Sequence, residues 1–127
     1  MLREELKAAI DADAESYNEV RKAYKAAKES ADGSKLIVTA LRQATSVPLG
    51  VAERVVEVRR IANELKPITN PNMGSDLTTA IALANAGLEG SLANVEINLD
   101  SLQPESAEER TFVTNTRNRA EVLKAAH

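Results

Sequence analysis

The sequence predicts an all-α protein: a bundle of about five helices that assembles into an oligomer. Three observations carry that expectation. Apolar residues recur three and four apart through most of the chain, and no segment alternates with period two. Alanine is the commonest residue and prolines number only 4, a composition that favours closely packed helices. Aromatic residues make up only 2%, so the core must be aliphatic, and apolar helix faces left bare are expected to need a partner. A chain of 127 residues suits one domain, residues 1–127.

The first helix is expected over about residues 2–30. Its stripe reads Leu2, Leu6, Ile10, Asp13, Tyr17, Val20, Tyr24 and Ala27, with Lys and Glu on the other faces. The run ADGS at 31–34 ends it in a turn. A short helix follows over residues 34–45, with Leu36, Ala40 and Leu41 turned inward. Pro48 disfavours helix at Val47 and suits the first turn of a new helix. A break is therefore expected there, with a separate helix over about 49–66 lined by Val51, Val55, Val58, Ala62 and Leu65.

Residues 66–74 hold two prolines, two asparagines and a glycine, and read as a loop. Ser75 or Asp76 then caps a long helix with the stripe Leu77, Ile81, Ala84, Leu88, Leu92, Val95 and Leu99. Gly87 and Gly90 lie inside it, each costing up to about 1 kcal/mol relative to Ala. Either the helix breaks there or another backbone comes very close. The next loop ends in a Ser-x-x-Glu capping box, Ser106 to Glu109. The last helix, over about 107–125, turns Val113, Thr116, Ala120 and Leu123 inward.

Composition excludes several classes of function. The net charge is −3 and no basic stripe is present, which argues against nucleic acid as a partner. The chain has no cysteine, so disulfides and thiolate metal sites are excluded and a reducing, cytoplasmic setting is expected. The only histidine is the last residue, His127, expected to be disordered and uninvolved in catalysis; no metal site is expected. No stretch approaches the roughly 18 apolar residues of a membrane span. No phosphate-binding glycine loop or nucleophile elbow is found.

Three constellations could carry chemistry. Asp13 interrupts the apolar stripe of the first helix. A buried carboxylate must be paired, hydrogen-bonded or protonated. It is either a polar core residue that caps or pairs within the bundle, or a general acid/base at a site. Asp11 lies about 200° round the same helix and is expected in solvent or against a neighbouring subunit, so the two are not a carboxylate pair. Ser91, Asn94 and Asn98 share one face beside the stripe of the long helix. They either hydrogen-bond between helices in the core or line an amide-rich pocket for a polar heterocycle such as a pterin or purine. Ser75 and Asp76, in the run GSDLTT at 74–79, form either a plain helix cap or an anion site.

The stretches DADAESYNEVRKAYK (11–25), ATSVPLGVAE (44–53) and NPNMGSDLTTAIALANAGLEGSLANVEINLDSL (70–102) resemble the cyclodeaminase/cyclohydrolase family. That family includes the C-terminal domain of formiminotransferase-cyclodeaminase and the bacterial methenyltetrahydrofolate cyclohydrolases. The likeness runs from about residue 2 to 125. It is densest at Asp11, Asp13, Ala14 and Tyr17, and at Ser75, Asp76, Gly90, Asn94, Val95, Ile97, Asn98 and Leu99.

The resemblance implies an all-helical homodimer or higher homo-oligomer that binds a folate in a cleft near the subunit interface. It implies chemistry on the methenyl or formimino group of tetrahydrofolate, with the folate derivative as substrate and no tightly bound cofactor. On that basis Asp13 is the expected acid/base or cation-stabilising group. Asn94 and Asn98 orient the ligand, Ser75 with Asp76 forms a second polar wall, and Tyr17 and Tyr24 either stack on the pterin or belong to the core. Family members usually carry a further segment with a Pro-Gly-Gly-Gly-Ser-like stretch, and this sequence begins after it. The expected alternative to an enzyme is therefore a non-catalytic helical oligomerisation or ligand-binding module that has lost the site.

Overall fold

The computed structural model describes residues 1–126 and is all-helical; His127 lies outside the described residues. Four long helices follow in chain order: α1 (Leu2–Ala27), α2 (Gly33–Leu65), α3 (Gly74–Ser101) and α4 (Ala107–Ala125). Two short 3₁₀ turns, Lys66–Ile68 and Pro71–Met73, link α2 to α3. No described helix is long and apolar enough to cross a membrane.

The expected count of about five helices becomes four because Pro48 does not break α2. The helix runs through it without interruption. A proline inside a helix removes one donor and crowds the carbonyl four residues back. Here that carbonyl belongs to Ala44, and it accepts instead from Asn98 Nδ2 on α3 at 3.0 Å. Just upstream, the Thr45 hydroxyl donates to the Leu41 oxygen at 2.7 Å and the Ser46 hydroxyl to the Gln43 oxygen at 2.7 Å. A long-range contact thus restores what the local sequence removes.

α2 is the central element. α1 and α3 each pack along it and scarcely meet one another, while α4 joins α2 and α3. One apolar cluster contains Leu41, Val95, Leu99, Leu102 and Val113; a second contains Ala52, Leu88 and Leu123. The expected stripe of α3 is thus the core face, with Ala84, Leu88, Val95 and Leu99 buried. α4 also follows expectation. Val113, Thr116 and Leu123 are buried, and the capping box is present in both directions.

α1 departs from expectation by one residue of rotation. Ser16 and Ala23 are buried, and Leu2, Leu6, Ala9, Ala12, Val20 and Ala27 are half-buried. Their neighbours on the expected stripe face outward: Ile10 is 71% exposed, Tyr17 62% and Tyr24 45%. The two helices approach closely at the turn that joins them. A Cβ on Gly33 would stand 2.6 Å from the Ala27 carbonyl oxygen, although the glycine has an ordinary φ. Val20 still reaches the main cluster from this side. Asp13, one position beyond Ala12, is exposed rather than in the core.

Three smaller expectations also change. Leu36 is exposed, while Leu41, expected inward with it, is buried and Ala40 is half-buried. α3 starts at Gly74 with Met73 as a cap that makes no side-chain bond, so Ser75 and Asp76 lie inside its first turn. The helix also continues through its glycines. Gly90 has open space where a Cβ would stand, and a Cβ on Gly87 would meet the Val55 side chain at 3.2 Å rather than a backbone.

Candidate functional site

The limited contact between α1 and α3 leaves a cleft above α2. It forms a cavity of about 370 Å³, floored by Leu41 and Ala44, with Asp13, Ser16, Tyr17, Val20 and Tyr24 on one wall and Asn94, Ile97, Asn98 and Ser101 on the other. The size falls within the range of ~300–1,000 Å³ usual for small-molecule sites.

Asp13, Tyr17, Asn94 and Asn98 thus border one space, although Asp13 and the two asparagines stand 81 and 85 positions apart in the chain (94 − 13 = 81 and 98 − 13 = 85). The rotation of α1 that removes Asp13 from the core is what carries it to this edge. The ion pairs of α1 among the described residues run through Glu4, Glu5 and Glu19, leaving Asp13 outside that network. The Ser16 hydroxyl donates back to the Asp13 backbone carbonyl oxygen at 2.9 Å. Asn98 is half-buried and its nitrogen bonds Ala44, the interhelical role weighed for it from sequence. Asn94 is exposed at the cavity edge. A carboxylate, two phenols and two amides around an apolar floor can hold a flat polar heterocycle and offer it both stacking and directed hydrogen bonds.

Ser75 and Asp76 stand apart. They are exposed in the first turn of α3, roughly 28 Å along the helix from Asn94 at the standard rise per residue. Ser91 is buried and does not line the cavity, so the expected Ser91–Asn94–Asn98 face divides between core and cleft. Ile97 and Ser101 were missed by sequence reasoning. They continue the row from Asn94 and Asn98 by one further turn, a signal that the spacing carried.

A larger groove of about 770 Å³ lies between α1, α2 and Phe112 of α4. Its charged groups are already engaged: Lys22 with Glu19 at 2.9 Å, and Arg42 with Glu108 at 3.3 Å while stacked over the Phe112 ring. No group of His, Cys, Asp and Glu side chains suited to a metal ion occurs among the described residues.

A family model described as formiminotransferase-cyclodeaminase matches residues 1–121. No curated protein matches the chain closely enough to count as a relative.

Proposed function

The chain belongs to the formiminotransferase-cyclodeaminase family, and from that premise we propose that it acts on the one-carbon group of a tetrahydrofolate. The reaction is hydrolysis of the 5,10-methenyl form or closure of the 5-formimino form with release of ammonia. The observation that carries this reading is the convergence of Asp13, Tyr17, Asn94 and Asn98 on one cavity. The substrate brings its own reacting carbon, so no tightly bound cofactor takes part. A cytoplasmic setting suits a chain without cysteine.

Asp13 is the proposed acid/base. In hydrolysis, water adds to the carbon between N5 and N10 and gives its proton to the carboxylate. The tetrahedral intermediate then opens: the C–N5 bond breaks, N5 takes the proton held by the carboxyl group, and the hydroxyl gives its own proton back to the carboxylate as it becomes the 10-formyl oxygen. In the deaminating reaction N10 adds to the formimino carbon, and the same carboxylate relays a proton to the departing nitrogen. A carboxylate beside the methenyl cation, the substrate of the first reaction and the product of the second, also stabilises it electrostatically. Tyr17 stacks on the pterin ring, and Asn94 and Asn98 orient its polar edge. Ser75 and Asp76 are too distant to join this cavity from the same chain, so their part as a polar wall belongs to a second subunit. Tyr17, Tyr24 and Ile97 are exposed apolar residues lining the cleft, and Ile10 is exposed one turn before Asp13 on α1, which supports a homodimer formed through this face.

The test is turnover of 5,10-methenyltetrahydrofolate, followed by loss of its absorbance, and of the formimino form, followed by ammonia release. Asp13→Asn keeps the shape and removes the base, so turnover drops by roughly a hundredfold or more. The residue is exposed, so its melting midpoint stays near that of the parent chain. Equal turnover by parent and variant overturns the role of Asp13. Binding of 5-formyltetrahydrofolate with no turnover of either substrate makes the chain a binding module instead. Sedimentation as a stable monomer at micromolar concentration overturns the dimer.

A further inference from the structure

Residue 48 is the position whose N–H would normally bond the Ala44 carbonyl, and as a proline it has none. Ala44 and Pro48 are both buried, where an unmatched carbonyl is costly. Asn98 supplies the missing donor through Nδ2 at 3.0 Å. A carbonyl oxygen only accepts, so this bond fixes which way round the amide lies. The nitrogen is held toward α2, and Oδ1 is the atom left to the cavity that Asn98 lines. An ionised Asp13 on the opposite wall also only accepts.

We infer that Pro48 acts as a positioning residue for Asn98, locking its Oδ1 as a fixed acceptor that selects a ligand carrying an N–H donor, such as the edge of a reduced pterin ring. This rests on the folate reading and adds to it the direction of the hydrogen bond and the reason a proline stands inside α2. An amide free to turn would accept or donate and would discriminate less between ligand edges. With one N–H held on the Ala44 oxygen, Asn98 keeps Oδ1 as an acceptor in a fixed position.

The test is a cycle of four chains: the parent, Pro48→Ala, Asn98→Ala and the double variant. Melting midpoints and affinities for 5-formyltetrahydrofolate, measured by calorimetry, are compared. In the parent background Asn98→Ala strands the Ala44 oxygen and lowers the midpoint by on the order of 5 °C. In the Pro48→Ala background the backbone N–H gained at position 48 takes that oxygen, so removing Asn98 leaves the midpoint nearly unchanged. Affinity nevertheless falls at least about tenfold in that background, because the acceptor is gone while the fold is not.

Equal midpoint losses in the two backgrounds overturn the link between Pro48 and Asn98. Unchanged affinity on removing Asn98 from Pro48→Ala overturns the acceptor. A parent chain that binds no folate overturns the folate reading and with it the choice of ligand, while the melting cycle still decides the link. If Pro48→Ala does not fold, Asn98→Asp decides it. That variant sets an oxygen against the Ala44 oxygen and melts below Asn98→Ala; a midpoint at or above the parent overturns the link.

Discussion

The two sides of α2 are packed by opposite means. Toward α3 and α4 the contact is made by large aliphatic side chains, with Leu41, Val95, Leu99 and Val113 in one cluster. Toward α1 it is made by Ala9, Ala12, Ser16 and Ala23, while Ile10, Tyr17 and Tyr24 remain outside. A stripe of large residues turns inward only where the neighbouring helix leaves room for it. Toward α1 the stripe of small residues is buried, and the large residues Tyr17 and Tyr24 are left to border the cleft.

The largest expected effects lie on the packed side. Leu99→Ala removes a buried side chain from the main cluster and costs about 2–5 kcal/mol in denaturant unfolding. Tyr17→Ala, on the bare side, stays within about 0.5 kcal/mol for the isolated chain. A loss for Tyr17→Ala comparable to that of Leu99→Ala at dilutions where the chain sediments as a monomer breaks the comparison; the same loss seen only at dimer-forming concentrations is the proposed second subunit burying this face.

Gly33→Ala probes the close approach itself. Its Cβ would stand 2.6 Å from the Ala27 oxygen and 2.8 Å from the Ala27 Cα, both backbone atoms that have little freedom to move. The expected cost is about 1–3 kcal/mol in a thermal melt. An unchanged midpoint shows that α1 can draw back from the start of α2.

The glycines of α3 sharpen the contrast at a smaller scale. Gly90→Ala meets nothing within 4 Å and gains helix propensity, so stability rises by up to about 1 kcal/mol. Gly87→Ala gains less, because the Val55 methyl at 3.2 Å has to give way. A loss at Gly90 places another chain against this part of α3.

The smallest effect concerns acid. The backbone N–H groups of Glu105 and Ser106, at 2.7 Å and 3.2 Å from its Oε2, hold the Glu109 carboxyl below the usual glutamate value. A carboxyl lowered in the folded state contributes stability above its unfolded value and loses it as pH falls through the folded one. Melts of the parent and Glu109→Gln therefore converge in acid and separate toward neutral pH, with the parent higher. A constant difference across that range shows that the capping box acts through shape alone.

Local spacing and chemistry by themselves determined that this chain is helical and where most of its helices end. The capping box at Ser106 and Glu109, the core face of α3 and the inward residues of α4 depend on short-range contacts and on a regular period, which a one-dimensional sequence carries in full. Only the tertiary structure decided the continuity of α2 and the facing of α1. The amide that makes Pro48 tolerable comes from Asn98, fifty residues further along the chain (98 − 48 = 50), and no local preference encodes it. The stripe of Ile10, Asp13, Tyr17 and Tyr24 satisfies helical spacing as well as the stripe one residue back. Which of the two is buried depends on how α1 sits against α2, which spacing along α1 alone does not carry.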